Sequence, residues 1–188
     1  MRRFREADVL DRMAEARRLT PALMRDLADI IAAFHESAER IADHGGRAGI
    51  AATIAINHDN LVLAAPPLDR ALIDRLKAAS TAGLAAVGNL LEARRGAGKV
   101  RRCHGDLHLR NICLFEQQPT LFDCIEFNDD FACVDMLYDL AFLLMDLVAR
   151  GFVDHANLVL NRYLDRSGNT GGLAALPLFL SARAAVRA

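Results

Sequence analysis

The stretch 100-VRRCHGDLHLRNICLFEQQPTLFDCIEF-127 decides the reading of this chain. At its centre stand Asp106 and, after Leu107 and three spacers, Asn111; past one apolar hairpin comes Asp123, with Glu126 three residues on. A carboxylate and an amide delivered by one tight loop, followed by a further carboxylate, suit phosphoryl transfer. That reaction asks the protein to hold an oxygen nucleophile in line with phosphorus while cations cover the developing charge. Magnesium wants hard oxygen ligands, one or two of them carboxylates, with phosphates completing its shell. Asp106 is therefore the candidate base, and Asn111 and Asp123 are the candidate metal ligands.

The same order and spacing is that of a kinase catalytic loop. The segments CHGDLHLRNICL (103–114), LFDCIEFN (121–128) and DLAFLLMDL (139–147) resemble the aminoglycoside phosphotransferase and choline kinase group, which writes this loop with His-Gly-Asp. They are closest to an uncharacterised bacterial branch often fused to a separate P-loop kinase domain. The resemblance covers most of the chain. It implies a protein kinase-like fold and transfer of the γ-phosphoryl group of ATP, with Mg²⁺, to a hydroxyl of a small molecule. It also implies Asp106 as base, Asn111 and Asp123 as metal ligands, and Asp139 as a brace for the catalytic loop. One departure concerns the metal: the group writes its second acid as Ile-Asp-Trp or Asp-Pro-Glu-Phe, and Ile125-Glu126-Phe127 can be aligned on the first form. Residues three apart on a strand face opposite sides unless a bulge intervenes. Asp123, closing the apolar pair Leu121-Phe122, is the first choice and Glu126 the second.

A kinase-like enzyme also needs a Gly-rich loop, a strand lysine and a glutamate that orients it. Nothing between residues 1 and 188 reads as that set. Arg95-Gly96-Ala97-Gly98-Lys99 lacks the first glycine and the Ser/Thr of a P-loop, and reads as a turn before a strand. The expectation is a single domain over 1–188, mostly α with a small β-hairpin, corresponding to the C-terminal lobe, with residues 1–5 as an inter-lobe linker strand. An upstream nucleotide lobe or a fused P-loop kinase domain is then the expected partner.

Composition agrees with a helix-rich globule: 53% hydrophobic residues but only 6% aromatic and no Trp. A net charge of −1 gives no argument for nucleic acid or an anionic membrane as partner, and no run is long and apolar enough to span a bilayer. Cys103, Cys113, Cys124 and Cys133 form no C-x-x-C pair, so they read as buried thiols rather than a zinc or redox site. The expected compartment is cytoplasmic.

Along the chain, Glu6 to Arg18 has helical patterning. Thr20-Pro21 is a cap followed by a first-turn proline that opens a helix reaching about Asp43, with Gly45-Gly46 ending it. His35 inside it reads as a structural hydrogen-bonding residue. Residues 45–67 are the least decipherable, with hints of short extended or helical pieces before Pro66-Pro67. Asp69 caps a long helix or helix pair reaching Arg95, in which Gly83 and Gly88 permit a kink or close packing. The hairpin is expected as Ile112–Phe115 and Leu121–Phe127 around Glu116-Gln117-Gln118-Pro119. Asp129-Asp130 reads as a solvated turn. A helix from about Asp135 to Gly151 carries Asp139 at i+4 from Asp135, where like charges repel, so Asp139 needs a partner from elsewhere. Helices at about 153–164 and 173–188 flank a loop at 167–172.

Two other functions compete. His104-x-Asp106-x-His108 offers metal ligands at alternate positions and, on a strand, would make a hydrolase site; in the kinase reading both histidines only orient the loop. The other is a noncatalytic kinase-like module. Glu126, Asp129 and Asp130 would suit a cationic acceptor.

Overall fold

The computed structural model describes residues 4–64 and 69–188. After a single 3₁₀ turn at Glu6–Asp8 come α1 (Leu10–Glu15), α2 (Pro21–Ser37), α3 (Gly46–Ala64) and α4 (Arg70–Gly96). Then follow β1 (Val100–Arg102), β2 (Ile112–Phe115), β3 (Gln118–Leu121), the one-turn α5 (Asp129–Ala132) and β4 (Cys133–Asp135). The chain continues with α6 (Met136–Ala149), α7 (Val153–Ser167), a 3₁₀ turn at Thr170–Ala175 and α8 (Leu176–Val186). None of the described helices is long and apolar enough to cross a membrane.

The centre is α6. Nearly every side chain from Met136 to Leu144 is apolar and buried, and a helix apolar all round must be enclosed by others. Here α7 and α8 pack against it, α2 packs on α7, and α3 lies along α4. The two expected caps form, Thr20 Oγ1 accepting from Leu23 N and Asp69 Oδ1 from Ala71 N, and Asp135, at the opening of α6, proves to be a cap as well, its Oδ1 accepting from Leu137 N. Of the expected glycines, Gly88 serves close packing in an unbroken α4, since a Cβ there would stand 3.0 Å from Arg47 Cδ, whereas one at Gly83 would meet only an ordinary contact with Leu178. Cys103, Cys113 and Cys133 are buried free thiols and Cys124 is partly buried.

The structure corrects several boundaries. The strand expected at 1–5 falls partly on residues 1–3, outside the described residues; Phe4 and Arg5 form no strand, and the Phe4 ring packs on Phe122 at 4.9 Å between centroids. α2 ends at Ser37 rather than near Asp43, because the chain turns to run beside β1, with Arg40 bridging Arg101 and Ile41 N donating to Val100 O. Gly45 and Gly46 then open a helix of 19 residues, α3, instead of closing one. Pro66-Pro67 lie outside the described residues. A second two-stranded sheet, β1 with β4, accompanies the hairpin. The hairpin itself is shorter than expected. Glu116 and Gln117 both take left-handed φ values of 49° and 65°, a two-residue turn of the primed type that matches strand twist, so Gln118 and Pro119 pair in β3 and residues 122–128 are irregular.

One buried pair ties α4 to the start of α6. Arg94 Nε and Nη2 each donate to a different oxygen of Asp135 at 2.7 Å, Nη1 donates to Asn169 at 3.0 Å, and the guanidinium lies where a Cβ on Gly172 would be, 2.5 Å away. Arg94→Met leaves Asp135 charged and unpaired in the interior. The expected cost is about 3–5 kcal/mol, read as a shift in the urea midpoint with little change in slope; a cost below about 1 kcal/mol contradicts the role given to this pair.

Candidate active site

The loop between β1 and β2 is held open by two carboxylates of α6. Asp139 is wholly buried, and its Oδ1 accepts from Gly105 N at 2.9 Å while Oδ2 accepts from His104 N at 3.2 Å. Two helical turns on, Asp146 Oδ2 accepts from Leu109 N at 3.1 Å. Residues seven apart share one helix face, so the two acids grip the two ends of the loop that carries Asp106. The partner expected for Asp139 is there too. His35 Nε2 lies 3.1 Å from its Oδ2, and His35 Nδ1 lies 2.9 Å from the Tyr163 hydroxyl. Burial works against the Asp139 charge, but the His35 hydrogen bond and the nearby His35, Arg183 and His104 more than offset it and hold its pKa below the usual value. Asp146 gave no signal in the motif; the sign available was a second acid seven residues after Asp139 on an otherwise apolar helix.

Gly105 has a φ of +82°, and a Cβ there would stand 2.8 Å from Phe131 O, so only glycine fits between His and Asp. That left-handed step turns Asp106 outward, half-buried. Its Oδ2 lies 2.8 Å from Asn111 Nδ2 and 3.2 Å from His108 Nε2, and Oδ1 accepts from no described residue. The His108 hydrogen bond, against the opposing effect of burial, and further helped by Asn111 and the Arg183 charge, holds the Asp106 carboxyl below its ordinary pKa.

His104 and His108 are already occupied. His104 Nε2 lies 2.9 Å from Phe122 O and its Nδ1 accepts from Asp106 N. His108 Nδ1 accepts from Arg110 N, which leaves Nε2 as the N–H that meets Asp106. The segment is a loop, not a strand, and neither ring has a free lone pair for a metal, so the geometry gives the His-x-Asp-x-His hydrolase reading no support. The neighbouring trio His35, Cys103 and Asp139, whose ligand atoms lie within 4.8 Å of one another, is likewise spent on internal hydrogen bonds, and burial pushes the Cys103 thiol well up.

Asn111 Nδ2 also donates to Asp106 O at 2.9 Å, which fixes the amide and leaves its Oδ1 without a partner among the described residues. Phe122 N donates to Asn111 O at 3.0 Å, so Asp123 follows directly on a residue pinned to Asn111. Asp123 is exposed, with a left-handed φ of 60°, and its carboxylate has no partner among the described residues; the same holds for exposed Glu126. Because 122–128 is not a strand, the alternation argument separating these two does not apply. An amide oxygen and two carboxylates with no partner among the described residues are, by their chemistry, donors that suit Mg²⁺.

A cavity of about 340 Å³ opens on Asp106, walled by α3, α6 and α8. Of the acids expected near it, Asp130 lines it. Asp129 is turned to Arg102 at 2.9 Å, and the pair begins α5 behind the Asn128 cap rather than forming a loose turn.

The model of the phosphotransferase enzyme family matches residues 2–176. Uncharacterized protein Rv2004c and Uncharacterized protein MT2060 of Mycobacterium tuberculosis, and Uncharacterized protein Mb2027c of Mycobacterium bovis, are each 29% identical to this chain over 192 residues, covering 100% of it. The chain spans 39% of the length of these curated relatives. No solved structure matches significantly. With a match over nearly its whole length and a loop built as that chemistry requires, the chain belongs to the phosphotransferase enzyme family.

Proposed function

We propose that the chain is the C-terminal, catalytic and acceptor-binding lobe of an ATP-dependent phosphotransferase that moves the γ-phosphoryl group to a hydroxyl of a small molecule. The observation that carries this is Asp106: an ionised carboxylate with one oxygen held by Asn111 and His108 and the other free, on the wall of a cavity large enough for a small acceptor. In this reading an acceptor hydroxyl donates to Asp106 Oδ1. As its oxygen bonds to the γ-phosphorus and the bond to the ADP oxygen breaks, its proton passes to that carboxylate. Asn111 and Asp123 would hold Mg²⁺, with Glu126 the second choice for the carboxylate. Bound there, the ion would cover charge on the phosphates. The nucleotide would be presented by a lobe or P-loop kinase domain outside residues 1–188.

Two measurements test this on the whole polypeptide that contains the chain, using γ-labelled ATP and a panel of small alcohols. Asp106→Asn keeps the shape but removes the base, and kcat should fall about 10²–10⁴-fold with the acceptor KM changed by less than about threefold; retention of activity within a few-fold of wild type rejects the role. The second is the pH profile. A base whose pKa lies below its ordinary value of about 4 is ionised throughout the neutral range, so Asp106 contributes no acid limb between pH 5 and 8, and activity falls only as pH drops through the lowered value. An acid limb centred near pH 6.5 and abolished by Asp106→Asn contradicts the assignment.

A further inference from the structure

The cavity beside Asp106 is lined by an arginine most of whose hydrogen-bond donors meet no acceptor among the described residues. Arg183, on α8, is 6% exposed. Its Nε donates to Tyr138 O at 3.2 Å, and its guanidinium carbon lies 3.9 Å from the centroid of Tyr138 and 4.7 Å from that of Phe142. All three side chains line the cavity. Nη2 is fully buried with no hydrogen-bond partner, and Nη1 donates to no described residue. The nearest acid, Asp139, has its Oδ1 3.7 Å from Nη2, beyond hydrogen-bond reach, and both its oxygens are already taken by Gly105, His104 and His35.

A guanidinium carries five N–H donors in a rigid fork, and leaving most of them unmet in the interior is costly. Two aromatic faces offset part of that through cation–π contact, but a ring face does not replace a hydrogen-bond acceptor. Nη2 is closed off from the cavity, so Nη1 is the donor that a ligand in it can reach, and the two rings hold it there. No acid of the cavity hydrogen-bonds to it: Asp106 Oδ2 is taken by His108 and Asn111 and its Oδ1 accepts from no described residue, and Asp130 is 84% exposed and lies beside His44. The remaining polar side chains are Thr53, Asn57 and Asn60, and the rest of the wall is apolar.

We propose that Arg183 selects the acceptor: the substrate is a hydroxylated molecule with an apolar body and a carboxylate, bound with its hydroxyl at Asp106 and its carboxylate accepting from Arg183 Nη1. This rests on the cavity being the acceptor site of the phosphotransferase. It replaces the cationic acceptor that the acids at 126, 129 and 130 call to mind, since among the described residues lining the cavity the one buried charge is positive. Arg183 was passed over in the sequence because it sits on an Ala-rich terminal helix with no motif around it.

The test is equilibrium binding of a matched pair, 3-hydroxy-3-phenylpropionate and 3-amino-1-phenylpropan-1-ol, which share skeleton and hydroxyl and differ in the terminal charge. Wild type should bind the acid at least about tenfold tighter than the amine, as a charge-assisted hydrogen bond supplies. Arg183→Gln, which keeps an N–H donor but removes the charge, should cut that preference to about threefold or less, with far-UV circular dichroism checking that the fold is kept. Equal or reversed preference in wild type overturns the proposal without recourse to any variant. Phosphorylation is scored separately in the whole polypeptide. Acid preference in binding with no transfer to any alcohol would leave Arg183 as the selector and sink the phosphotransferase reading, whereas transfer to the amine as readily as to the acid would sink the selector alone.

Discussion

The constraint on which the structure depends is the burial of Asp139. A carboxylate with no access to water must have its lone pairs filled by protein donors, or ionisation becomes prohibitively costly. Here the donors are the amides of His104 and Gly105 and the ring of His35. Two of the three belong to the loop that carries Asp106, and the third comes from α2 and is itself held by Tyr163 of α7. Satisfying one buried charge therefore fixes the loop that carries Asp106 to three helices at once. The loop cannot relax without stranding that charge.

Two further acids, one capping α6 and one on it, divide the remaining work. Asp135 caps the helix and receives the Arg94 fork, joining α6 to α4. Asp146 holds the far end of the loop through Leu109 N and is in turn paired with Arg150 at 2.9 Å. The loop is thus supported at both ends from one rigid element, the arrangement that gives precise placement of a reacting group. Asp106 is then oriented from within the loop by His108, whose ring packs edge-on against Phe142 at 5.1 Å. Its protonation state and its position follow from the same contacts. Arg183 lines the same cavity.

What the sequence disclosed followed physical signal strength. Caps with a mechanism were legible: Thr20 before Pro21 and Asp69 both accept the amides that a cap should. The loop from His104 to Asn111 was legible because Gly105 has a steric reason to be glycine. α3 was not, since Gly46, Gly49, Thr53 and Asn57 break its apolar stripe, and its buried positions, Ile50, Ile54, Asn57 and Leu61, include an asparagine whose amide reaches Ala182 O at 2.9 Å, a tertiary contact no local pattern announces. The hairpin was drawn too long because Glu116 and Gln117 take a turn conformation usually filled by Asn or Gly. The β1–β4 pairing joins residues more than thirty positions apart and leaves no local trace. Arg183 belongs with these: its significance lies in donors left unmet, which only packing reveals.

The most direct test of the Asp139 constraint is native-state hydrogen exchange at the Gly105 amide. Loops commonly exchange through local fluctuations, whereas core amides require global opening. If the buried carboxylate holds the loop as described, the Gly105 amide exchanges only with the global unfolding free energy, at the level of the central α6 amides, although it lies in a loop that lines the cavity. Exchange orders of magnitude faster than α6, insensitive to low denaturant, would show the loop opening by itself and contradict the account.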